Sequence, residues 1–138
     1  MVESGEIVFL EEIEQAGDSC LGRSLRVVGR IEHFDVRNKM VLLSESLPSR
    51  KKKIFLHIDT SSLDQSTSNT GGFRKGSLFM FIGELKHQTL DGADGTATAP
   101  GKALAARIGR NSDGLDLHLY RKAVLARRTF LAEEKKTP

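Results

Sequence analysis

The residues of this 138-residue chain that could do chemistry are few and widely spaced. Four histidines stand singly at His33, His57, His87 and His118, and Cys20 is the only cysteine. None of these spacings is that of a zinc site, which needs clustered His and Cys ligands. No serine lies in a Gly-x-Ser-x-Gly turn, the setting that exposes a nucleophilic serine. We therefore expect no metal site, no cofactor and no catalysis.

The stretch 95–102 superficially resembles a phosphate-binding loop. Five residues separate Gly95 from Gly101 where that motif has four, and Ala103 stands where the motif needs Ser or Thr for magnesium. Pro100 also lacks a backbone N–H that could be donated to a phosphate. The stretch is therefore not expected to bind nucleotides.

A basic run followed by an aromatic residue is the best candidate for contact with nucleic acid. The same run would also suit a solvated loop that enters a strand. A net charge of only +3 argues against tight independent binding, because binding to single strands depends on how many phosphates are neutralised. Base stacking contributes about 1–3 kcal/mol per base, and the sequence offers one outward-facing ring. The candidate contacts are Arg50, Lys51, Lys52, Lys53, Phe55 and Arg107.

Composition indicates one soluble domain. Hydrophobic residues make up 38% and charged residues 28%, as in an ordinary globular protein, and the length suits a single core. A lone cysteine forms no intrachain disulfide, which fits a reducing compartment. Apolar runs stay well short of the ~18 residues of a membrane span, and the acidic N-terminus is not a signal peptide. We expect an intracellular protein.

Apolar patterns typical of strands predict five strands, and the first and third of them alternate clearly. Gly29 lies within the first, where a bulge or sharp bend would let one strand pair on both sides of a closed barrel. Polar or small residues predict loose loops over Ser61–Gly72 and Thr89–Gly101, and Glu6–Ile13 is expected to cross the barrel as a short strand or turn. The predicted strands are Ser24–Phe34, Lys39–Ser44, Lys53–Asp59, Ser77–His87 and Ala103–Arg110.

The side-chain pattern also predicts which faces are buried. The fourth strand has apolar residues on both faces, so something must cover its outer side. In the last strand, Leu104, Ala106 and Ile108 are expected to point inward. A turn follows, in which Asp113 or Asp116 could accept hydrogen bonds from the first N–H groups of a C-terminal helix.

Five strands, a bent first strand and a closing helix predict an all-β fold with a C-terminal helix. Specifically, we expect a single OB-fold, a five-stranded Greek-key barrel; the strand count alone would also suit an SH3-like barrel. The expected organisation is an N-terminal segment packing on the barrel (1–23), the OB-fold barrel (24–114), and a C-terminal partner-binding helix and tail (115–138).

The C-terminal helix, expected over Asp116–Glu134, carries two apolar stripes. At about 100° per residue, one stripe holds Leu115, Leu119, Ala123, Ala126 and Phe130, and the other holds Leu117, Tyr120, Val124 and Leu131. An edge helix normally buries a single stripe against its own core, so a second one predicts a partner chain. A helix wedged more deeply into its own domain is the alternative. The sequence does not decide which stripe faces outward. The candidate partner-binding residues are Leu117, Tyr120, Val124, Arg127, Phe130 and Leu131.

Three runs of this sequence resemble the Ten-one family, the smallest OB-fold subunits of the telomeric CST complex. They are LRVVGR at 25–30, KGSLFMFIGEL at 75–85 and ARIGRNSDGLDLHLY at 106–120, the last being closest to plant-type members. The resemblance spans about Leu25–Glu134 and fails in the two loose loops and at the N-terminus.

This resemblance implies a non-enzymatic nuclear subunit at the telomeric region of chromosomes. It implies a heterodimer with the middle OB-fold subunit through packed C-terminal helices, and through that subunit a link to the large subunit. Single-stranded telomeric DNA would be bound mostly indirectly, in support of telomere protection and replication. Phe130 matches a family aromatic that is Tyr elsewhere, and Glu134 matches a basic residue, so no hydroxyl contact or ion pair is carried over. The alternative is the small subunit of a replication-protein-A-type complex.

Overall fold

The computed structural model describes residues 5–47, 52–63, 72–91 and 98–136. In those ranges the chain forms six strands, two α-helices and a short 3-10 helix at Gly17–Cys20. The α-helices are α1 (Leu10–Ala16) and α2 (Leu117–Lys136). The strands are β1 (Glu6–Ile7), β2 (Ser24–Asp35), β3 (Met40–Leu47), β4 (Lys52–Asp59), β5 (Leu78–Asp91) and β6 (Thr98–Asn111).

Strands β2 to β6 close into the expected five-stranded OB barrel. The order is β2-β3-β4-β6-β5, and a further pairing of β5 with β2 closes the ring. All neighbouring strands are antiparallel except β4 and β6, which run parallel over His57–Asp59 and Ala103–Ala105. Strand β1 adds a short parallel pairing with the start of β2.

The first barrel strand does pair on both sides, as its internal glycine predicts. Residues Ser24–Arg30 of β2 pair with β5, and Arg30–Asp35 pair with β3. The change of partner falls directly after Gly29, whose missing side chain lets β3 approach closely. The register shift lies two residues farther on, between Ile31 and His33.

The barrel interior is a single apolar core. Phe79, Phe81 and Leu85 of β5 point into it, while Leu78 and Ile82 on the outer face are also buried. Gly5 lies against Ile82, so the N-terminal segment covers part of that outer face. The prediction that β5 is covered on both sides is therefore confirmed.

Two predictions about the last hairpin were wrong. Strand β5 continues to Asp91 and β6 begins at Thr98, so most of the expected loop Thr89–Gly101 is paired strand. The register also shifts between Ile82 and Gly83, which inserts one extra residue into β6. That bulge reverses the alternation, so Leu104 and Ala106 face inward but Ile108 pairs with Ile82 on the outer face.

The N-terminal segment contains a helix that the sequence reading missed. After β1 the chain forms α1, in which Leu10 and Ile13 share one face and join the barrel core. Seven residues are too few for helical periodicity to stand out, although Glu11 and Glu12 in the first turn are typical of a helix start.

The predicted loop Ser61–Gly72 is described only in part. At its start, residues Thr60–Leu63 form a turn. Within the described ranges, neither helix is long and apolar enough to span a bilayer.

Candidate partner-binding interface

Helix α2 begins at an N-cap formed by Asp116. The Asp116 carboxylate accepts hydrogen bonds from the N–H groups of His118 and Leu119 at 3.0 and 3.2 Å, so this part of the prediction is confirmed. Asp113 has another role: it accepts the N–H of Leu78 at 2.8 Å and ties the preceding turn to β5. That hydrogen bond, followed by one from Asn111, holds the pKa of Asp113 below its usual value.

The side of α2 that faces the barrel, here called the inner face, is only partly apolar. Val124 is buried, Leu117 and Tyr120 are half-buried, and Arg121 and Arg128 lie between them. Val124 is the only buried residue among the α2 side chains described, 117–133. Apolar burial therefore contributes little to holding this helix in place.

Arg121 connects α2 to two other elements. Its guanidinium donates to both carboxylate oxygens of Glu45 on β3, at 3.0 and 2.7 Å, and to Glu11 of α1. The Glu45 side chain is 5% exposed. Burial raises the pKa of Glu45, and the attraction of Arg121 opposes that rise without cancelling it.

Arg128 makes a second connection one helical heptad later. It pairs with both oxygens of Glu12 at 2.9 Å and donates to the backbone carbonyl of Ile7 at 2.7 Å. Burial alone would raise the pKa of Glu12, but hydrogen bonds from Arg128 and from the Phe9 N–H, with the Arg128 charge, bring it below its usual value.

One aromatic ring lies beneath both arginines. The guanidinium carbons of Arg121 and Arg128 are 4.0 and 5.0 Å from the centre of the Phe9 ring. Cation–π contacts at these distances are typically worth about 0.5–2 kcal/mol each, more where water is excluded. Phe9 itself is buried. We call Phe9, Glu11, Glu12 and Glu45, with the two arginines, the arginine clamp.

The inner face also contains a polar group without a partner. The hydroxyl of Tyr120 is buried and makes no hydrogen bond within the described residues. Burial raises the pKa of Tyr120, with smaller influences from Arg26, Glu45 and Arg128. A buried hydroxyl that loses its water without gaining a partner costs about 1–3 kcal/mol.

The opposite side of α2, here called the outer stripe, is apolar and exposed. It consists of Leu119, Ala123, Ala126 and Phe130, with Leu115 just before the helix. Leu119 is 60% exposed and Phe130 63%. Seven large apolar side chains are exposed in the described ranges, and five of them lie on α2 or just before it: Leu115, Leu119, Leu125, Phe130 and Leu131.

The structure therefore separates the two stripes that the sequence left undecided. Of the candidate partner-binding residues, Leu117, Tyr120 and Val124 lie on the inner face, and Phe130 lies on the outer stripe. Leu131 lies seven residues after Val124 and so on the side of the inner face, although it is 42% exposed, and Arg127 lies beside it. They line a groove of about 300 Å³ whose other walls are Gly5, Glu6, Ile7, Arg26, Val124 and Arg128.

The candidate nucleic-acid contacts are not all brought together. Phe55 is 51% exposed on the outer side of β4, opposite Ser44 of β3, and Lys53 lies on the same side of that strand. The Lys53 ammonium is 2.9 Å from Glu32, which lowers the pKa of Glu32 through that hydrogen bond and a second one from Ser44.

The remaining basic candidates lie elsewhere. Arg107 donates to Ser24 at 3.0 Å, at the far end of β2 from Glu32, so it belongs to a different surface. Arg50 and Lys51 fall outside the described residues, and for Lys52 only the backbone is described. In the ranges that the structure covers, no group of three His, Cys, Asp or Glu side chains could hold a metal ion.

Sequence reasoning missed the arginine clamp. Two signals were present: arginines at positions 121 and 128, seven residues apart, lie on one side of a helix, and Glu45 occupies an inward position of β3. The pairing itself joins residues up to 116 positions apart, so no local pattern specifies it.

Comparisons with known proteins bear on what this interface does. A family model described as a telomere-capping subunit of the CST complex matches residues 1–134. The CST complex subunit TEN1 of Arabidopsis thaliana is 34% identical over 113 residues, which cover 82% of this chain and 74% of that protein.

Two solved structures from S. pombe have similar folds. Telomere capping protein Ten1 aligns with a TM-score of 0.62 and 18% identity, over 91% of this chain and 99% of that one. A chain in the crystal structure of the Stn1–ten1 complex aligns with a TM-score of 0.61 and 18% identity, over 94% and 96% respectively. At this identity the two matches show that the fold is shared.

Proposed function

Because this chain belongs to the family of telomere-capping CST complex subunits, we propose that it acts as a non-enzymatic assembly subunit. It pairs one-to-one with the middle OB-fold subunit of that complex and, through it, with the large subunit. Its place is then the nucleus, at chromosome telomeres. Membership of this family favours the CST reading over a replication-protein-A-type small subunit.

The observation that carries the proposal is the exposed outer stripe of α2. Each large apolar side chain moved from water into an interface contributes about 1.5–3 kcal/mol before ordering costs are subtracted. Leu119 and Phe130 are more than half exposed. An apolar patch of this kind on an otherwise charged helix is typical of a protein–protein contact. The S. pombe relative whose fold is shared was solved in a complex with Stn1, which supports the choice of partner.

The spacing of the outer stripe favours a helix as the contacting element. Leu119, Ala123, Ala126 and Phe130 follow one another at intervals of four, three and four residues, the repeat of a coiled-coil seam. The two central alanines would let a second helix approach closely, since interaxial distances of about 8–10 Å depend on the side chains at the contact. Leucine and phenylalanine at the ends would anchor it.

A second function, direct contact with single-stranded DNA, is favoured by one observation. Phe55 presents a half-exposed ring on the outer side of β4, in the β3–β4 region that OB-folds use for oligonucleotides. The neighbouring Lys53 is held by Glu32, and a single ring gives a small stacking surface. We therefore assign to this chain a weak, supporting contact and leave most of the DNA binding to its partners.

Two exposed phenylalanines, Phe130 and Phe55, test whether the outer stripe contacts the partner. Phe130→Ala should weaken binding of the purified middle subunit by about 2 kcal/mol or more, measured by calorimetry, because a large apolar anchor of the interface is lost. Phe55→Ala is the matched control, since it removes a similarly exposed ring from the barrel. It should leave that affinity unchanged. Equal affinities for wild type and Phe130→Ala would remove the outer stripe from the interface.

A further inference from the structure

The attachment of α2 to its own barrel depends on charge more than on apolar packing. Val124 is the one buried side chain described on this helix, and the Tyr120 hydroxyl makes no hydrogen bond to the part of the chain that the structure describes. The strongest contacts of the inner face are the ion pairs of Arg121 and Arg128. A helix held in this way belongs to the part of a fold that opens locally at low cost.

Most of those contacts come from the N-terminal segment. It supplies the ring under both guanidiniums, the carboxylates of Glu11 and Glu12, and the carbonyl of Ile7. β3 adds only Glu45. The segment is itself fixed to the barrel, because β1 pairs with β2 and Leu10 and Ile13 of α1 lie in the core.

We propose that the N-terminal segment, Glu6–Ala16, is a seat that positions α2 for its partner. In this role Phe9 and Glu12 are positioning residues: they hold the inner face, and so fix the direction in which the outer stripe points. The inference rests on the proposed function, because it takes the outer stripe as the contact surface. According to this inference, residues that contact the inner face of α2 control the affinity of the outer stripe for the partner.

The physical basis is a population effect. A partner that binds the docked helix meets only the fraction of molecules in which α2 is seated, and its apparent dissociation constant rises as that fraction falls. Charged contacts that are partly open to solvent weaken with salt, whereas apolar contacts do not. The Glu12 and Arg128 side chains are 38% and 37% exposed. Partner affinity should therefore carry a salt dependence that originates inside this chain.

Glu12→Gln is the sharpest variant. Glutamine at this position can still accept the Phe9 N–H that Glu12 accepts at 2.8 Å, since a capping box takes either residue, but it cannot pair with the Arg128 charge. Glu84→Gln is the matched control, because it removes the same charge from an exposed position on β5. Both are measured as full-length chains against the purified middle subunit, by calorimetry at about 0.1 M and about 1 M salt.

We expect Glu12→Gln to weaken binding about two- to fivefold at the lower salt, the range of a partly exposed ion pair, and to match wild type at the higher salt. Glu84→Gln should match wild type at both. Hydrogen exchange should be faster in the α2 amides of Glu12→Gln and unchanged in β2 to β6. Phe9→Leu keeps an apolar side chain but removes the buried ring under both arginines, and it should likewise weaken binding and speed hydrogen exchange in the α2 amides, at both salt concentrations.

The outcomes separate this inference from the proposed function. If Phe130→Ala weakens binding but Glu12→Gln and Phe9→Leu do not, the seat is refuted and the interface stands. If Glu12→Gln and Glu84→Gln weaken binding equally, the effect is one of net charge, and the seat is again refuted. If Phe130→Ala has no effect, the outer stripe is not the contact surface and the proposed function fails.

Discussion

Gly29 of β2 lies so close to Ser44 of β3 that a Cβ atom at position 29 would be 2.7 Å from the Ser44 carbonyl oxygen. The obstacle is backbone, so it cannot turn aside as a side chain would. We expect Gly29→Ala to lower the free energy of unfolding by about 3 kcal/mol, the upper part of the range for overpacking. Urea unfolding should show a lower midpoint with an unchanged slope. A midpoint equal to that of wild type would contradict the close approach.

Tyr120→Phe should stabilise the chain. The variant removes a buried hydroxyl that has no partner among the described residues, and it keeps the ring on the inner face. The expected gain in the free energy of unfolding is about 1 kcal/mol, at the lower end of the cost of an unsatisfied group. Affinity for the middle subunit should not fall, because Tyr120 faces the barrel and the variant favours the molecules in which α2 is seated. A destabilised variant would mean that the hydroxyl has a partner in solution, such as water.

Phe55→Ala should reduce the contribution of this chain to DNA binding. The loss expected for one stacked base is about 1–3 kcal/mol, read by fluorescence anisotropy with single-stranded telomeric repeat DNA and the assembled complex. Phe130→Ala, in complex preparations that remain assembled at high concentration, is the control. Unchanged affinity in Phe55→Ala would remove this face from DNA recognition.

Glu32→Gln tests the same face in the opposite direction. It removes a carboxylate that lies 2.9 Å from the Lys53 ammonium, and so releases a cation beside the Phe55 ring. Binding to single-stranded DNA should become tighter, with a steeper dependence on salt, because one more cation is available for a phosphate. Weaker binding in this variant would show that the ion pair holds Lys53 where DNA needs it.

Acidification should loosen α2. The folded pKa of Glu12 lies below the usual carboxyl value of 4.5, so its pairing contributes stability that is present above pH 4.5 and is lost as the pH falls through the folded pKa. Glu45 has the opposite effect on stability as the pH falls. Burial raises its pKa, so protonation removes the cost of keeping this buried carboxylate charged. Hydrogen exchange of the α2 amides below pH 4.5, compared between wild type and Glu12→Gln, measures the Glu12 part. A parallel pH dependence in both proteins would contradict it.

The barrel and its closing helix could be predicted from the sequence because their patterns are long and regular. Each barrel strand is at least eight residues long, and a helix of twenty residues shows its two stripes clearly. The features that were missed have short or irregular sequence patterns. Helix α1 has two turns, and the single bulge in β6 moved Ile108 to the outer face.

The candidate site was predictable in part for the same reason. Periodicity alone identified Phe130 and Leu119 as members of one stripe, but could not say which stripe the barrel covers. That choice is made by Phe9 and by glutamates more than seventy positions away from Arg121. Contacts between distant charges leave no period in a sequence, so the arginine clamp becomes visible only when the chain is folded.

Strands β4 and β6 meet over only three residue pairs, from His57 with Ala103 to Asp59 with Ala105. The strand pairs on either side are long antiparallel ladders. Separating β4 from β6 therefore breaks fewer backbone hydrogen bonds than separating either of those pairs. The β2-β3-β4 meander pairs residues that are close in the chain. The β4–β6 pairing joins residues more than forty positions apart, so a larger loop has to close before it can form. Pairing of β4 with β6 should therefore follow formation of the meander when the barrel folds, and this shortest of the barrel ladders should be the first to open in the folded protein.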